Sequence, residues 1–306
     1  MNRAARPWIV AVILSLLALS PAPAHAGMTD AEVKAFTRDK ALAEKGNHLA
    51  QFNMGINYAK GFGVAKDNVQ AMSWYRKAAE QEYSQAQFNL GVCYASGEGV
   101  ANDFVQAVSW YRKAAEQGLA QAQFNLGICY AEGLGVAKDG VQAVSWYRKA
   151  AEQGDSQAQF NLGACYASGE GVANDFVQAV SWFRKAAEQG YARAQGGLGV
   201  FYANGLGVAK DQAQAVSWYR KAAEQGDSQA QSNLGYCYAI GEGVVKDVIE
   251  AYAFLYLAGI TDEDARKNLA ILEKEMSADR IVAGKMRTIE LHKIIATNIA
   301  AKTAGK

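Results

Sequence analysis

Cysteines, histidines, serines and paired glycines are the residues of this 306-residue chain that could do chemistry, so their spacing comes first. Cys93, Cys129, Cys165 and Cys237 share one position of a 36-residue period, and Asn57 and Phe201 take that position in two other units. If each unit is a pair of helices, equivalent residues stand two helix layers apart, each layer about 8–10 Å. A disulfide needs Cα atoms within about 7 Å. The four are therefore expected to be small buried apolar residues, not a disulfide framework or a redox pair. His48 and His292 lie at opposite ends of the chain, and no histidine is in register with the cysteines to make a metal site. Ser73 and Ser109 precede Trp-Tyr-Arg and lack the x-x-Lys spacing of serine β-lactamases. Gly-x-Ser-x-Gly, a phosphate loop and His-Glu-x-x-His are absent. Pairs such as Gly133 and Gly135 follow no strand pattern and read as turns. No catalytic residue, metal or cofactor is expected.

The elements that position these residues repeat. Trp-Tyr-Arg-Lys begins at Trp74, Trp110, Trp146 and Trp218, with a phenylalanine variant at Trp182. A Leu-Gly or Met-Gly pair keeps the same step at Gly55, Gly91, Gly127, Gly163, Gly199 and Gly235. Six units over residues 46–261 follow, each read as two helices. Ala86, Leu90 and Tyr94 make one packed stripe, with Gly91 admitting a close neighbour. Gly97 and Gly99 break the helix and Val100 plugs the turn. Asp103 then caps the second helix with Gln106 three residues on, a capping-box pattern, and Asp67, Asp139, Asp175, Asp211 and Asp247 repeat the cap. Ala107, Tyr111 and Ala114 face inward, Arg112 and Glu116 pair outward, and Gly118 ends the helix. Neither helix can bury its face alone, so neighbouring units must stack.

Half the residues are apolar and a fifth charged, which excludes disorder for the bulk of the chain. A formal charge of +1 offers no basic excess for nucleic acid. Residues 1–26 read as a secretory signal: Arg3 and Arg6, an apolar run from Ile9 to Ser20, then Ala24-His25-Ala26 as the cleavage pattern. That run is shorter than the about 20 residues a membrane span needs, so no span is expected after cleavage near Ala26. Residues 27–45 read as an N-terminal capping helix. Residues 262–306 read as a C-terminal cap with helices at about 262–276 and 278–299 and a frayed tail from Ala301. The expected location is the periplasm of a bacterium, or outside it.

The pattern Ala86-Gln87-Phe88-Asn89-Leu90-Gly91 through Trp110-Tyr111-Arg112-Lys113-Ala114-Ala115 resembles the Sel-1-like repeat, a relative of the tetratricopeptide repeat. The resemblance implies an all-α fold, a right-handed superhelical α-solenoid of six antiparallel helix pairs, working as an adaptor or scaffold. A cysteine-rich branch of that family carries paired cysteines and has been linked to penicillin binding or β-lactam hydrolysis. The pairs are missing here, and an envelope hydrolase or penicillin-binding protein of that branch stays as the alternative.

If the units are laid out like tetratricopeptide units, first-helix residues outside the packed stripe line a concave wall. Those are Phe52, Phe88, Phe124 and Phe160, lapsing to Gly196 and Ser232, with Ile56, Val92, Ile128, Ala164, Val200 and Tyr236 four residues on. Asn53, Asn89, Asn125 and Asn161 sit beside the phenylalanines, and Asn233 continues the row. They either form a groove with an aromatic floor and an amide ladder for a peptide or protein partner, or pack between repeats. A spacer tethering partners by its ends is a third possibility. Arg112, Lys113 and Glu116 are expected to be a solvated face.

Overall fold

The computed structural model describes residues 29–304; the expected signal segment and its cleavage site lie outside them. The described residues form fifteen helices and no strand, in two compact units that meet in sequence between Asp155 and Ser156. The first unit holds α1 (Asp30–Glu44), α2 (His48–Lys60), α3 (Asn68–Glu80), α4 (Ser84–Ser96), α5 (Phe104–Glu116), α6 (Ala120–Glu132) and α7 (Gly140–Glu152). The second holds α8 (Ser156–Ser168), α9 (Phe176–Glu188), α10 (Ala192–Asn204), α11 (Gln212–Ala223), α12 (Ser228–Ile240), α13 (Val248–Ala258), α14 (Glu263–Glu275) and α15 (Ala278–Ala304). Within each unit every helix up to α13 packs on the next, and α13 takes both α14 and α15. This is an α-solenoid of tandem helix pairs.

The caps and breaks explain these bounds. The Asp103 carboxylate accepts from Val105 N at 2.9 Å and Gln106 N at 3.0 Å, filling two donors that helix geometry leaves open. Only this forward half of the expected capping box forms there. The reciprocal box occurs at α1, where Glu32 N donates to Thr29 Oγ1 at 3.2 Å and Thr29 N donates to Glu32 Oε2 at 2.8 Å. At the other end of the first helices, Gly97 adopts φ 78° and its N–H donates to Cys93 O at 2.9 Å. Gly99, at φ 76°, lies against the Asn68 carbonyl of the preceding pair, where any Cβ would collide with backbone. Val100 is half-buried in the same turn.

The core is a succession of small clusters. In one, Ala95, Ala107, Val108, Tyr111, Ala114, Ala115, Ala122, Leu126 and Cys129 come together from three consecutive helices. A Cβ on Gly91 would stand 2.7 Å from Tyr111 Cδ1, so the glycine lets α5 seat its tyrosine on α4.

The C-terminal helices differ from expectation at one end. The tail expected to fray from Ala301 stays helical to Ala304. Asn298 donates to Glu224 O at 3.2 Å, and Lys302 Nζ donates to Gly190 O at 2.9 Å and to the Gln225 side chain. These bonds hold the last turns against the ends of α9 and α11. Among the described residues no helix is long and apolar enough to cross a membrane.

Candidate functional site

The phenylalanines of α2, α4, α6 and α8 are partly committed to packing. Phe52 meets Tyr75 with ring centroids 5.9 Å apart and Tyr83 at 5.2 Å. Phe88 meets Tyr111 at 5.9 Å, Phe124 meets Tyr147 at 6.0 Å, and Phe160 meets Phe183 at 5.5 Å. Each ring thus leans on the second helix of its own pair, a contact worth about 0.5–1.5 kcal/mol beyond area burial. Phe52, Phe88 and Phe160 remain half-buried, while Phe124 is 3% exposed. Four residues on, Ile56 and Val92 are half-buried and Tyr236 is 49% exposed.

The asparagines face inward as much as outward. The Asn89 amide lies against the Tyr75 hydroxyl, whose pKa is raised by burial and by nearby Cys93, with Asn89 opposing the rise. Asn125, buried at 5% exposure, stands in the same relation to Tyr111. Burial again raises the tyrosine pKa, yet no group completes a hydrogen bond to that hydroxyl. As the chain stands, Phe124 and Asn125 present no free face, whereas Phe52, Asn53, Phe88, Asn89, Phe160, Asn161 and Tyr236 do.

Two rows of side chains join the helices, and a third pairs residues within single helices, in ways the sequence reading did not resolve. Gln117 Nε2 donates to Gln87 Oε1 at 2.8 Å, and buried Gln87 Nε2 donates to Ala79 O of the preceding pair at 3.2 Å. Gln81 with Gln51, Gln153 with Gln123, Gln189 with Gln159 and Gln225 with Gln195 repeat the first bond at 2.7–2.8 Å. Arg112 donates to Tyr130 Oη at 2.8 Å, and Arg76, Arg184 and Arg220 do the same to Tyr94, Tyr202 and Tyr238. The expected Arg112–Glu116 pair is therefore corrected: among the described residues the guanidinium serves the next repeat, because a charge-assisted bond across the joint outcompetes an exposed ion pair. Lys113 Nζ sits 4.1 Å above the Trp110 ring, and the other four Trp-Lys pairs close to 3.8–4.0 Å. The face expected to be merely solvated is a set of cation–π and hydrogen-bonded ties. The 36-residue recurrence of Gln81, Gln117, Gln153, Gln189 and Gln225 was the available signal.

All of this geometry recurs at a period that a known family shares. The family model for the Sel1 repeat matches residues 48–83, 84–119, 120–155, 156–191, 192–227 and 228–259. The chain belongs to the Sel1-repeat family. Two solved structures are similar to this Sel1-repeat chain. One is a protective antigen present in uropathogenic Escherichia coli strains and displaying an SLR fold, 39% identical, with a TM-score of 0.76. The match covers 86% of this chain and 56% of that one, so the chain spans little more than half of that relative's length. The other is a Sel1 repeat protein from Oxalobacter formigenes, 38% identical with a TM-score of 0.68, covering 74% of this chain and 91% of that one. No curated protein matches the chain. Sel1-repeat proteins generally mediate protein–protein interaction, and the family is typically a non-enzymatic scaffold.

The cysteine positions of this Sel1 array are chemically quiet. All four are free thiols, with Cys93, Cys129 and Cys237 buried and Cys165 half-buried. Burial pushes the thiols of Cys93, Cys129 and Cys165 up to about 12 and that of Cys237 to about 11. A thiol that keeps its proton at neutral pH is a poor nucleophile and a poor metal ligand. Among the described residues no group of three or more His, Cys, Asp or Glu is arranged to hold a metal.

Proposed function

We propose that this chain is an exported bacterial scaffold that holds a peptide or protein partner against the Phe and Asn rows of its first helices. The observation carrying this reading is the half-buried state of Phe52, Phe88 and Phe160: each ring packs on its own pair, Phe52 and Phe160 also meet Tyr83 and Tyr191, and part of each ring stays exposed. A ring already held in place loses little freedom when a partner covers it. Asn53, Asn89 and Asn161 beside them remain half-buried, within reach of an incoming backbone, and Tyr236 of the sixth repeat is exposed. Export rests on the signal pattern at residues 1–26, and the family's general role in protein interaction supports the partner class.

In-cell photo-crosslinking tests the reading. A photoreactive amino acid at Phe88 should capture a defined protein, and the same group at the exposed Glu116 should not. Glu116 is a better outward control than Arg112, which is engaged with Tyr130. Capture at Glu116 alone, or at neither site, would assign the phenylalanine row to packing and remove the groove.

A further inference from the structure

A helix face left to water in a helical array is ordinarily polar. Helix α15 breaks that rule. It carries two seams, each with residues spaced alternately three and four apart, the spacing of a helix that packs along its length. The inner seam is Ile281, Gly284, Thr288, Leu291 and Ile295. Leu291 and Ile295 join the core of Tyr219, Ala222 and Leu257, and Gly284 lies against Tyr252. The outer seam is Asp279, Val282, Met286, Ile289 and Lys293. Its three apolar residues are 57%, 63% and 58% exposed. Isolated exposed apolar residues are ordinary, but three at heptad positions on one line are a packing surface without its partner.

We propose that this outer seam docks a second copy of the chain, the two α15 helices lying antiparallel about a two-fold axis at Met286. The charges at its ends select that occupant. Asp279 and Lys293 are each seven residues from Met286, on opposite sides. An antiparallel pair places Asp279 of each copy beside Lys293 of the other, two matched contacts at once, as an isologous interface requires. A parallel pair would set like charges together. Arg287, which could bring positive charge to the middle, is instead held by Glu250 Oε1 at 2.7 Å and Glu290 Oε2 at 3.0 Å within its own chain. The seam is short beside the about 800 Å² per partner of standard interfaces, so the dimer exchanges with monomer on dilution.

Sedimentation velocity on the purified chain, from low micromolar to near-millimolar concentration, reads this directly. The average mass should rise from one chain to two. Met286→Glu should weaken association at least about tenfold, and so should Asp279→Lys. The double charge swap Asp279→Lys with Lys293→Asp should restore it, which a general loss of folding could not do. All three positions are exposed, and circular dichroism melts should match the parent. A chain that stays monomeric throughout, or a dimer indifferent to Met286→Glu and Asp279→Lys, overturns the proposal. Failure of the double swap to rescue overturns the antiparallel register.

Discussion

Helix α11 of the fifth repeat and α13 of the sixth are the same element one period apart, yet they bury themselves differently. α11 hides one stripe, Ala215, Val216, Tyr219, Ala222 and Ala223, and leaves Trp218 half-buried beneath Lys221 Nζ at 4.0 Å. Its Arg220 reaches Tyr238 Oη at 2.7 Å, and Gln225 just beyond it reaches Gln195 at 2.7 Å. In α13 those places hold Phe254, Leu255, Tyr256, Leu257 and, past the helix end, Thr261. Ala251, Tyr252, Ala253, Phe254, Leu255, Leu257 and Ala258 are all buried. The reason is what covers each helix. An interior second helix meets its neighbours on one side and water on the other, so it joins them by polar ties at the edges. α13 is wrapped by α14 and α15 as well, and a helix enclosed on most sides gains more from apolar side chains.

Three measurements sharpen or break this contrast. The largest effect belongs to Tyr111, fully buried against Gly91. Tyr111→Ala should cost about 3–5 kcal/mol in urea unfolding. Tyr111→Phe should be neutral or slightly stabilising, since it removes a buried hydroxyl without a partner and copies Phe183 of the fourth repeat. A marked loss of stability in Tyr111→Phe would show that the interior ring position does depend on its polar atom.

Next comes the glutamine joint. Gln87→Ala removes two bonds and strands Ala79 O and Gln117, so a cost of about 1–3 kcal/mol is expected. Gln231 donates to Ala223 O at 3.2 Å, and Thr261, whose hydroxyl lies 2.9 Å from Ser228 Oγ, stands where interior repeats have a glutamine. Gln231→Ala should therefore cost less than Gln87→Ala. Equal costs would mean that the glutamine-to-glutamine bond adds nothing to the joint.

The smallest effect is alkaline. A buried thiol held above its ordinary value of 9.0 keeps its proton in the folded chain while the unfolded chain gives it up. The stability it lends is complete below the ordinary value and is lost as pH rises toward the folded one, about 12 for Cys129 and about 11 for Cys237. Melting temperature followed across that window should fall less steeply in Cys129→Ala than in the parent. Cys237→Ala should change the slope less, because its site in the last repeat is the less enclosed.

Much of this was legible along the chain because a 36-residue period marks equivalent residues without any structure. The Asp caps, the turn glycines and the inward stripe of Ala107, Tyr111 and Ala114 all follow from rules that act within a turn or two of helix. The candidate site was legible only as a list. Phe88 and Asn89 were placed on one face, but whether that face was open depended on Tyr111 and Tyr75, which belong to other helices. The destination of Arg112 was hidden for the same reason: Tyr130 lies eighteen residues on and in another helix.

By itself the sequence determined that each unit is a pair of helices, where the second helices start and the first helices stop, and that one unit must lean on the next, since those outcomes depend on local backbone chemistry and on apolar periodicity. Only the tertiary structure decided which rows meet. The angle at which one helix crosses another turns Arg112 toward Tyr130, seats Gln117 on Gln87, and half-buries Phe88 while leaving Val282, Met286 and Ile289 in water. Periodicity records which positions are equivalent, but contact between different rows is set by packing geometry.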